Sequence, residues 1–484
     1  MAPTRVPAAT ATLVHMTMTQ DPGVAPQTHV VRRLGARARR DAGTRRAAGS
    51  ALCLSLLLVS WWWVSGGGIG DLGGWASGLE SVGRLTGLAA SVLLLAQVVL
   101  MARVPALERA FGQDELARIH RVVGFMSFNL MLAHIVTITW GYAGGWPTSI
   151  PRTLWDLVVD YPGMLLATAA TVCLVMVVVT SIKAARRTLR YESWHLMHLY
   201  AYLGVGLAIP HQLWTGADFT SSTGRQVFWW SAWIAAAGSV LVWRVGLPLW
   251  RNLRHDLRVA AIVPEGDGTV SVHVTGRALD RLPVEAGQFF TWRFGGRPGR
   301  SRANPYSLSA APNGRSLRIT VQDVGDGSAA AAGLAVGSRA WIEGPYGRLS
   351  PRARTQRKVL MIGAGVGITP LRALAEALEY APGEALVLYR TSSAPLFVDE
   401  LTDLAQRRGL VVWGLPGRRR SLDSWLGRGV DARSDLAALT DWVPDVVERD
   451  VYVCGPRPWT ELVLRDLRAA GVPEHHIHLE NFGW

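Results

Sequence analysis

Nearly all the long apolar runs of this chain lie between residues 51 and 250, and two of them carry histidines at almost the same spacing. His120 and His134 are 14 residues apart, and His198 and His211 are 13 apart. On an α-helix 14 residues rise ~21 Å and return to within ~40° of the same face, so His120 and His134 project alike from opposite ends of one span. His198 and His211 rise ~19.5 Å, a matching height, although an ideal helix sets them ~140° apart. Pro210 immediately precedes His211 and can rotate that last turn. His195 is the rival of His198, but it would sit ~24 Å from His211, a worse vertical match. Ionisable side chains inside a bilayer are costly and usually functional, and imidazole is a common axial ligand of haem iron. Two such helices side by side can hold two stacked b haems, with metal ligands paired as His120 with His198 and His134 with His211. Gly124, Gly204 and Gly206 are expected to let the porphyrins lie against the backbone.

Six membrane spans are expected, roughly 51–64, 85–101, 122–140, 164–182, 196–214 and 227–247. A span needs ~20 apolar residues, so the first two are short on strict counting. Basic residues then orient the bundle. Of the 50 basic residues 48 are Arg. They gather at Arg32–Arg46, between spans two and three, between four and five, and after span six. The opposite loops carry Arg84, Arg152 and Arg225. Both termini are therefore expected in the cytoplasm of a bacterial cell, with the chain a multi-pass protein of the cytoplasmic membrane in contact with lipid. Residues 1–48, rich in Ala, Thr and Arg, read as a disordered basic tail. The net charge of +14 does not point to nucleic acid, because the basic residues form no stripe with interleaved aromatics. Cys53, Cys173 and Cys454 are scattered, which argues against a disulfide framework. Arg84, at the external end of span two, is expected to face a propionate of the outer haem, because an unpaired charge there is expensive.

After Arg254 the pattern changes to short alternating strands, Val270–Val274, Phe289–Phe294, Leu317–Val321 and Ala340–Glu343, punctuated by Gly and Pro. That is the pattern of a small antiparallel barrel. Within it runs Arg302, Ala303, Asn304, Pro305, Tyr306, Ser307, Leu308 and Ser309. An aromatic followed by a hydroxyl at a strand end can cover a flavin ring and bond its N5 edge. Gly325, Gly327 and Ser328 lead into an Ala-rich helix, where exposed amides suit a pyrophosphate. Farther on, a buried strand enters Gly363, Ala364, Gly365, Val366, Gly367, Ile368, Thr369 and Pro370. Strand, glycine-rich turn and helix form a dinucleotide cradle, although the spacing only approximates the usual fingerprint. Strands at Ala385–Tyr389, Val411–Trp413 and Val451–Cys454 complete a doubly wound α/β sheet, and Cys454, Gly455 and Pro456 close the last of these at its ligand-binding edge. Arg390 follows the Ala385–Tyr389 strand and can pair with a 2′-phosphate, which favours NADPH over NADH.

The order of these pieces resembles the ferric reductase/NADPH oxidase superfamily over about residues 51–484. The shared pieces are the four histidines, Tyr306-Ser307, Gly344-Pro-Tyr-Gly347, Gly363–Pro370, Cys454–Pro456 and the closing Glu480-Asn-Phe482. The front half resembles that family's haem domain, and the back half resembles ferredoxin–NADP reductases. The resemblance implies a multidomain membrane protein: a tail at 1–48, a six-helix transmembrane di-haem bundle at 49–252, an antiparallel β-barrel FAD domain at 255–353, and an α/β doubly wound NAD(P) domain at 356–484. It also implies an aromatic over the flavin, a role that Phe482 fits and that Trp484, which extends beyond it, can take instead. Three departures are Asn304 in place of a histidine, Gln322 in place of a basic residue near the pyrophosphate, and Ile138 where animal oxidases carry a further histidine. The implied activity is that of an oxidoreductase passing electrons from NAD(P)H through FAD and two haems to an extracytoplasmic acceptor, a ferric chelate or oxygen, with no protein partner required. The alternatives are a membrane-anchored flavin reductase without haem and an electron carrier serving a periplasmic protein.

Overall fold

The computed structural model describes residues 28–182, 191–266, 268–295, 303–323, 331, 333–428, 430 and 433–482. Five stretches are helices long and apolar enough to cross a membrane: Arg39–Ser65, Trp75–Met101, Gln113–Tyr142, Met164–Ser181 and Thr223–His255. Span two gains its length from Trp75–Gly83, ahead of the expected apolar run. The fifth expected span, 196–214, falls on helix Tyr191–Leu207, of 17 residues, and a π turn at His211–Thr215 that follows Pro210. Proline supplies no amide to the ladder, so the turn after it re-forms with a wider pitch. A second π segment, Val240–Gly246, lies inside the last span.

The first helix begins at Thr28, so residues 28–48 are helical rather than disordered, and residues 1–27 lie outside the described part. Ala and Arg are good helix formers, and this extension has partners. Arg45 Nε donates to Ala110 O at 2.7 Å and its guanidinium pairs with Glu115 at 3.3 Å. Asp41 pairs with Arg352 at 2.9 Å.

The bundle core gathers Val59, Trp63, Leu88, Leu95, Trp229 and Trp233. Spans two and three approach closely because Gly83 and Gly87 lie on their contact. A Cβ at Gly83 would sit 2.5 Å from Ile138, so Ile138 is a packing residue between the two helices. Gly124 and Gly204 likewise serve helix contacts rather than clearance for a porphyrin. A Cβ would meet Gln97 at 2.6 Å in the first case and Ala170 O at 3.2 Å in the second, whereas Gly206 faces open space.

Arg84 does not carry the role expected of it. Its Nε and Nη2 grip Asp218 at 2.8 and 3.1 Å, and Nη1 lies 3.5 Å from Asp71. Arg225 binds the same carboxylate at 2.8 Å. A bidentate carboxylate already satisfies the guanidinium, so its charge is spent on holding loop to loop. Burial opposes ionisation of Asp218, but hydrogen bonds and charge from Arg84 and Arg225 outweigh it and hold the carboxyl below its ordinary range.

The second half folds into two units. Strands β1 (Arg258–Gly266), β2 (Thr269–Thr275) and β5 (Ser316–Gln322) form one antiparallel sheet. Strands β4 (Asn304–Ser307), β3 (Phe289–Phe294) and β6 (Ala340–Tyr346) form the other. Single bridges, Arg258 to Arg339 and Leu308 to Ile319, join the sheets at their two seams. Val272, Phe290, Trp292, Leu308 and Ile319 fill the space between. Leu308, expected at the flavin, is thus fully buried as core.

The last unit is a parallel sheet in the order β11-β10-β7-β8-β9, from β7 (Lys358–Ala364), β8 (Ala385–Thr391), β9 (Val411–Pro416), β10 (Arg449–Pro456) and β11 (Ile477–Phe482). Alternate residues of β7 serve opposite faces, Val359 and Met361 one core, Leu360 and Ile362 the other. Arg318 and Arg372 both pair with Glu400, tying the two units together, and Arg318 Nε donates to Ser309 Oγ at 3.0 Å. Ser309, fully buried in that network, holds the domains together rather than reaching for a flavin.

Replacing Asp218 with Asn leaves Arg84 and Arg225 facing a neutral group, and breaking a largely buried pair of this kind costs about 3 kcal/mol. Asp218→Asn should therefore lower the thermal unfolding midpoint in detergent, and a midpoint equal to wild type would show that the cluster does not hold these loops together.

Candidate functional site

The membrane half brings the four histidines together in the expected pairs. The rings of His120 and His198 have centres 6.2 Å apart, and those of His134 and His211 are 6.3 Å apart. A metal between two imidazoles, with metal–nitrogen bonds of about 2 Å, sets ring centres roughly 6 Å apart. His198 rather than His195 therefore faces His120. The second nitrogen of two of the rings is occupied by backbone. His120 Nδ1 lies 3.3 Å from Gln97 O and His134 Nδ1 lies 2.8 Å from Gly83 O. Donation from Nδ1 fixes the ring and leaves Nε2 for a metal, the usual way a ligand imidazole is oriented. His198 Nδ1 is 3.4 Å from Ser181 Oγ. Beside the outer pair, a Cβ on Gly87 would sit 2.6 Å from His134 Nδ1. Gly87 is a site residue that pattern reading missed, because its neighbour lies on another helix. Among the described residues no group of three or more His, Cys, Asp or Glu converges, so each candidate site offers two imidazoles.

In the soluble half the separate motifs meet at one edge. The glycine turn follows β7, and Gly365 has φ +55°, a left-handed conformation that favours glycine. A Cβ on Gly367 would lie 2.3 Å from Cys454 O, so the turn can pack on the end of β10 only without a side chain. Ala364 and Ile368 are buried beneath it, and Pro370 continues the helix Ile368–Ala377. The Thr369 hydroxyl is buried without a hydrogen-bond partner at the start of that helix. An orphaned hydroxyl and free helix amides are what a phosphate requires. Cys454 pairs in register with Gly363 on one side and Glu480 on the other. Its thiol is fully buried, and burial together with the Glu480 carboxyl pushes it well above the ordinary thiol range. Buried and neutral, it is not placed to act as a nucleophile. Gly455 and Pro456 continue the edge, where a Cβ at Gly455 would strike the Trp459 ring at 2.8 Å.

The flavin motif reaches this edge from β4. Asn304 and Tyr306 are half-buried and Pro305 is exposed. Burial pushes the Tyr306 hydroxyl up to about 12, so it stays neutral and its ring acts as an apolar surface. Ser307, buried, donates to Glu480 Oε1 at 3.4 Å. Glu480 Oε2 is buried without a partner. Burial first, and Asp114 second, push this carboxyl up to about 8, against the pull of Ser307. In the sequence Glu480 stands out only as part of the closing Glu480-Asn-Phe482 motif. The missed signal was β11, whose register beside Cys454 turns the carboxyl into the site. Arg302, Gly325, Gly327, Ser328 and Trp484 lie outside the described residues, and Phe482 is placed by its backbone alone, opposite Pro456. Arg390 stands at the end of β8, opposite Ala364, with Nη2 donating to Gly417 O at 3.3 Å.

The family described as "Ferric reductase like transmembrane component" matches residues 86–209, a stretch that carries His120, His134 and His198 and ends two residues before His211. The second half is similar to the ferredoxin reductase component of 3-ketosteroid-9-alpha-monooxygenase from Mycolicibacterium smegmatis, 31% identical over 241 residues, 47% of this chain and 65% of that protein. It is also similar to a flavohemoprotein from Pseudomonas aeruginosa, 34% identical over 243 residues, 48% of this chain and 60% of that one. This chain thus covers less than two thirds of either relative. Among solved structures, the flavohem-like FAD/NAD binding domain of nitric oxide dioxygenase from Vibrio cholerae aligns with 48% of this chain and 99% of its own, at 25% identity and a TM-score of 0.38. The family match and the relatives together show a ferric reductase-like membrane component joined to a ferredoxin reductase-type module.

Glu480 carries a pH test. In the fold its carboxyl titrates at about 8, against about 4.3 for a free side chain. Between those values the folded protein holds a proton that the unfolded chain has lost, so stability falls as pH rises through that window. Glu480→Gln should remove this slope. Unfolding midpoints followed from about pH 5 to about pH 8 should fall more steeply in wild type than in the variant, and parallel curves would show that the carboxyl is already charged.

Proposed function

We propose that this protein carries electrons from NADPH across a bacterial cytoplasmic membrane to an acceptor on the outer side, a ferric chelate or oxygen. The observation that carries the reading is the pair of imidazole pairs, with ring centres 6.2 and 6.3 Å apart, on helices that also carry the family match. His120 and His198 would hold an inner b haem, and His134 and His211 an outer one, within a six-span bundle whose fifth span is Tyr191–Thr215. Each haem would be held by one imidazole pair and would supply a one-electron carrier at that depth of the bilayer. When bound, FAD would supply the conversion of a nicotinamide hydride into single electrons, held by the residues named below.

The remaining steps belong to the chain. Tyr306 and Ser307 present a ring and a hydroxyl to the flavin. Gly363–Gly367 and Thr369 cradle the dinucleotide pyrophosphate at the helix start. Cys454, Gly455 and Pro456 form the floor under the nicotinamide, and Phe482 or Trp484 covers the flavin. Glu480, beside Ser307, holds a proton at physiological pH and can exchange it with the flavin edge. Arg390 reads the 2′-phosphate. The basic loops and both termini lie on the cytoplasmic side, with the bundle at 49–252, the flavin unit at 255–353 and the nucleotide unit at 356–484.

Haem quantitation per polypeptide tests the membrane half. His120→Ala, His134→Ala, His198→Ala and His211→Ala should each lose one haem, His195→Ala should keep both, and Gly87→Val should disturb the outer site alone. A purified wild type without a bis-imidazole haem spectrum would reduce the protein to a membrane-anchored flavin reductase.

Steady-state oxidation of the two nucleotides tests Arg390. Arg390→Ala should raise KM for NADPH about tenfold or more while leaving NADH nearly unchanged, as loss of a charge-assisted phosphate contact implies. Equal effects on both nucleotides, or a wild type that prefers NADH, would overturn the assignment.

A further inference from the structure

We propose that Asn252 is a positioning residue that locks the flavin-binding sheet to the last membrane helix, and so sets the path from flavin to the inner histidine pair; this rests on the function proposed above. Asn252 lies in the helix Leu247–His255 that leaves span six, and it is 4% exposed. Its Nδ2 donates to Pro248 O at 2.8 Å within its own helix and to Ile342 O at 2.7 Å on β6. Its Oδ1 accepts from Ile342 N at 2.8 Å. The side-chain amide thus exchanges both hydrogen bonds with one strand residue, as a neighbouring strand would.

The place of that residue matters. β6 is the end strand of the sheet β4-β3-β6, where unpaired backbone groups need a cover. Ile342 pairs with Trp292 on β3, and Trp292 pairs with Asn304 on β4, at the head of the flavin motif. One amide therefore connects span six to the strand bearing Tyr306 and Ser307 through two rungs of backbone pairing. Arg251 Nη1 donates to Gly344 O, and Arg103, which follows span two, stacks at 4.3 Å over Tyr346. The membrane half thus grips β6 at Ile342, Gly344 and Tyr346. The Asn252 contact is the one that specifies register, because it uses donor and acceptor together in a buried place where slippage by one residue would orphan both. The Asp41–Arg352 pair, with side chains 23% and 24% exposed, tethers the same halves without specifying register.

Full-length protein with its haem and FAD provides the test, in wild type, Asn252→Ala, the near-isosteric Asn252→Asp, and Asp41→Asn. Stopped-flow spectra separate bleaching of the flavin by NADPH from reduction of the haem, and hydrogen exchange follows the Ile342 amide. Both Asn252 variants should keep their FAD and haem content and their rate of flavin bleaching. Haem reduction should slow on the order of tenfold or more, the usual cost of a small misplacement of reacting groups. The Ile342 amide should exchange faster in Asn252→Ala, and Asp41→Asn should match wild type in both readouts. Wild-type rates of haem reduction in both Asn252 variants would overturn the proposal. So would loss of FAD or haem in both, because Asn252 would then serve stability alone. If wild type itself carries no haem, the proposed function fails, and the exchange measurement still decides the lock: faster Ile342 exchange in Asn252→Ala upholds it, and equal exchange removes it.

Discussion

Two imidazoles from different helices can reach a ring separation near 6 Å only if the helices that carry and support them come close, and much of the bundle follows from that. Span two bears none of the four histidines, yet it lies against His134 at Gly87 and offers Gly83 O and Gln97 O to the two imidazoles of span three. A side chain at Gly83 or Gly87 would collide with Ile138 or His134. Close approach here also orients the rings, since backbone carbonyls hold Nδ1 and turn Nε2 toward the partner helix. On the other side of each pair, the break after Pro210 and the π turn bring His211 opposite His134, a position that a regular helix bearing His198 would deny it.

The second-half module is built on a different constraint, the burial of polar groups with their partners supplied from distant chain. Ser307, Cys454 and Glu480 come from two folding units and meet at the ends of parallel strands, where open α/β sheets bind ligands. Cys454 has no solvent contact and Glu480 keeps one oxygen without a partner. Such an unpaired buried carboxyl is costly unless it is neutral, and burial drives it toward the protonated form. The seams between halves follow the same rule. Asn252, Arg318 and Glu400 each cross a boundary with their polar atoms engaged, and this gives the assembly geometric definition without a large apolar interface.

Arg84 shows why a correct physical premise can lead to the wrong partner. An Arg at the end of a membrane span does need a counter-charge, and the chain supplies two, Asp218 and Asp71, from loops 134 residues downstream and 13 upstream. Nothing in the local pattern around residue 84 distinguishes an aspartate in a later loop from a cofactor carboxylate. Leu308 and Ser309 make the same point just after β4. They follow Tyr306 and Ser307 in the chain, but Leu308 bridges to Ile319 and is buried in the barrel core, and Ser309 meets Arg318.

Local features were readable without coordinates: which stretches are apolar enough to span, the histidine spacing that pairs His120 with His198 and His134 with His211, most of the strands, and the glycine turn after β7. Each depends on helix rise, strand alternation or turn chemistry, and those act over a few residues. The helical state of residues 28–48, the edge strands β1 and β11, the counter-charges of Arg84, the place of Glu480 and the amide lock at Asn252 emerged only from the folded chain. Each of these depends on which atoms arrive from far along the chain to satisfy a buried polar group or a free strand edge, and that choice is made by packing of the whole, not by the neighbouring residues.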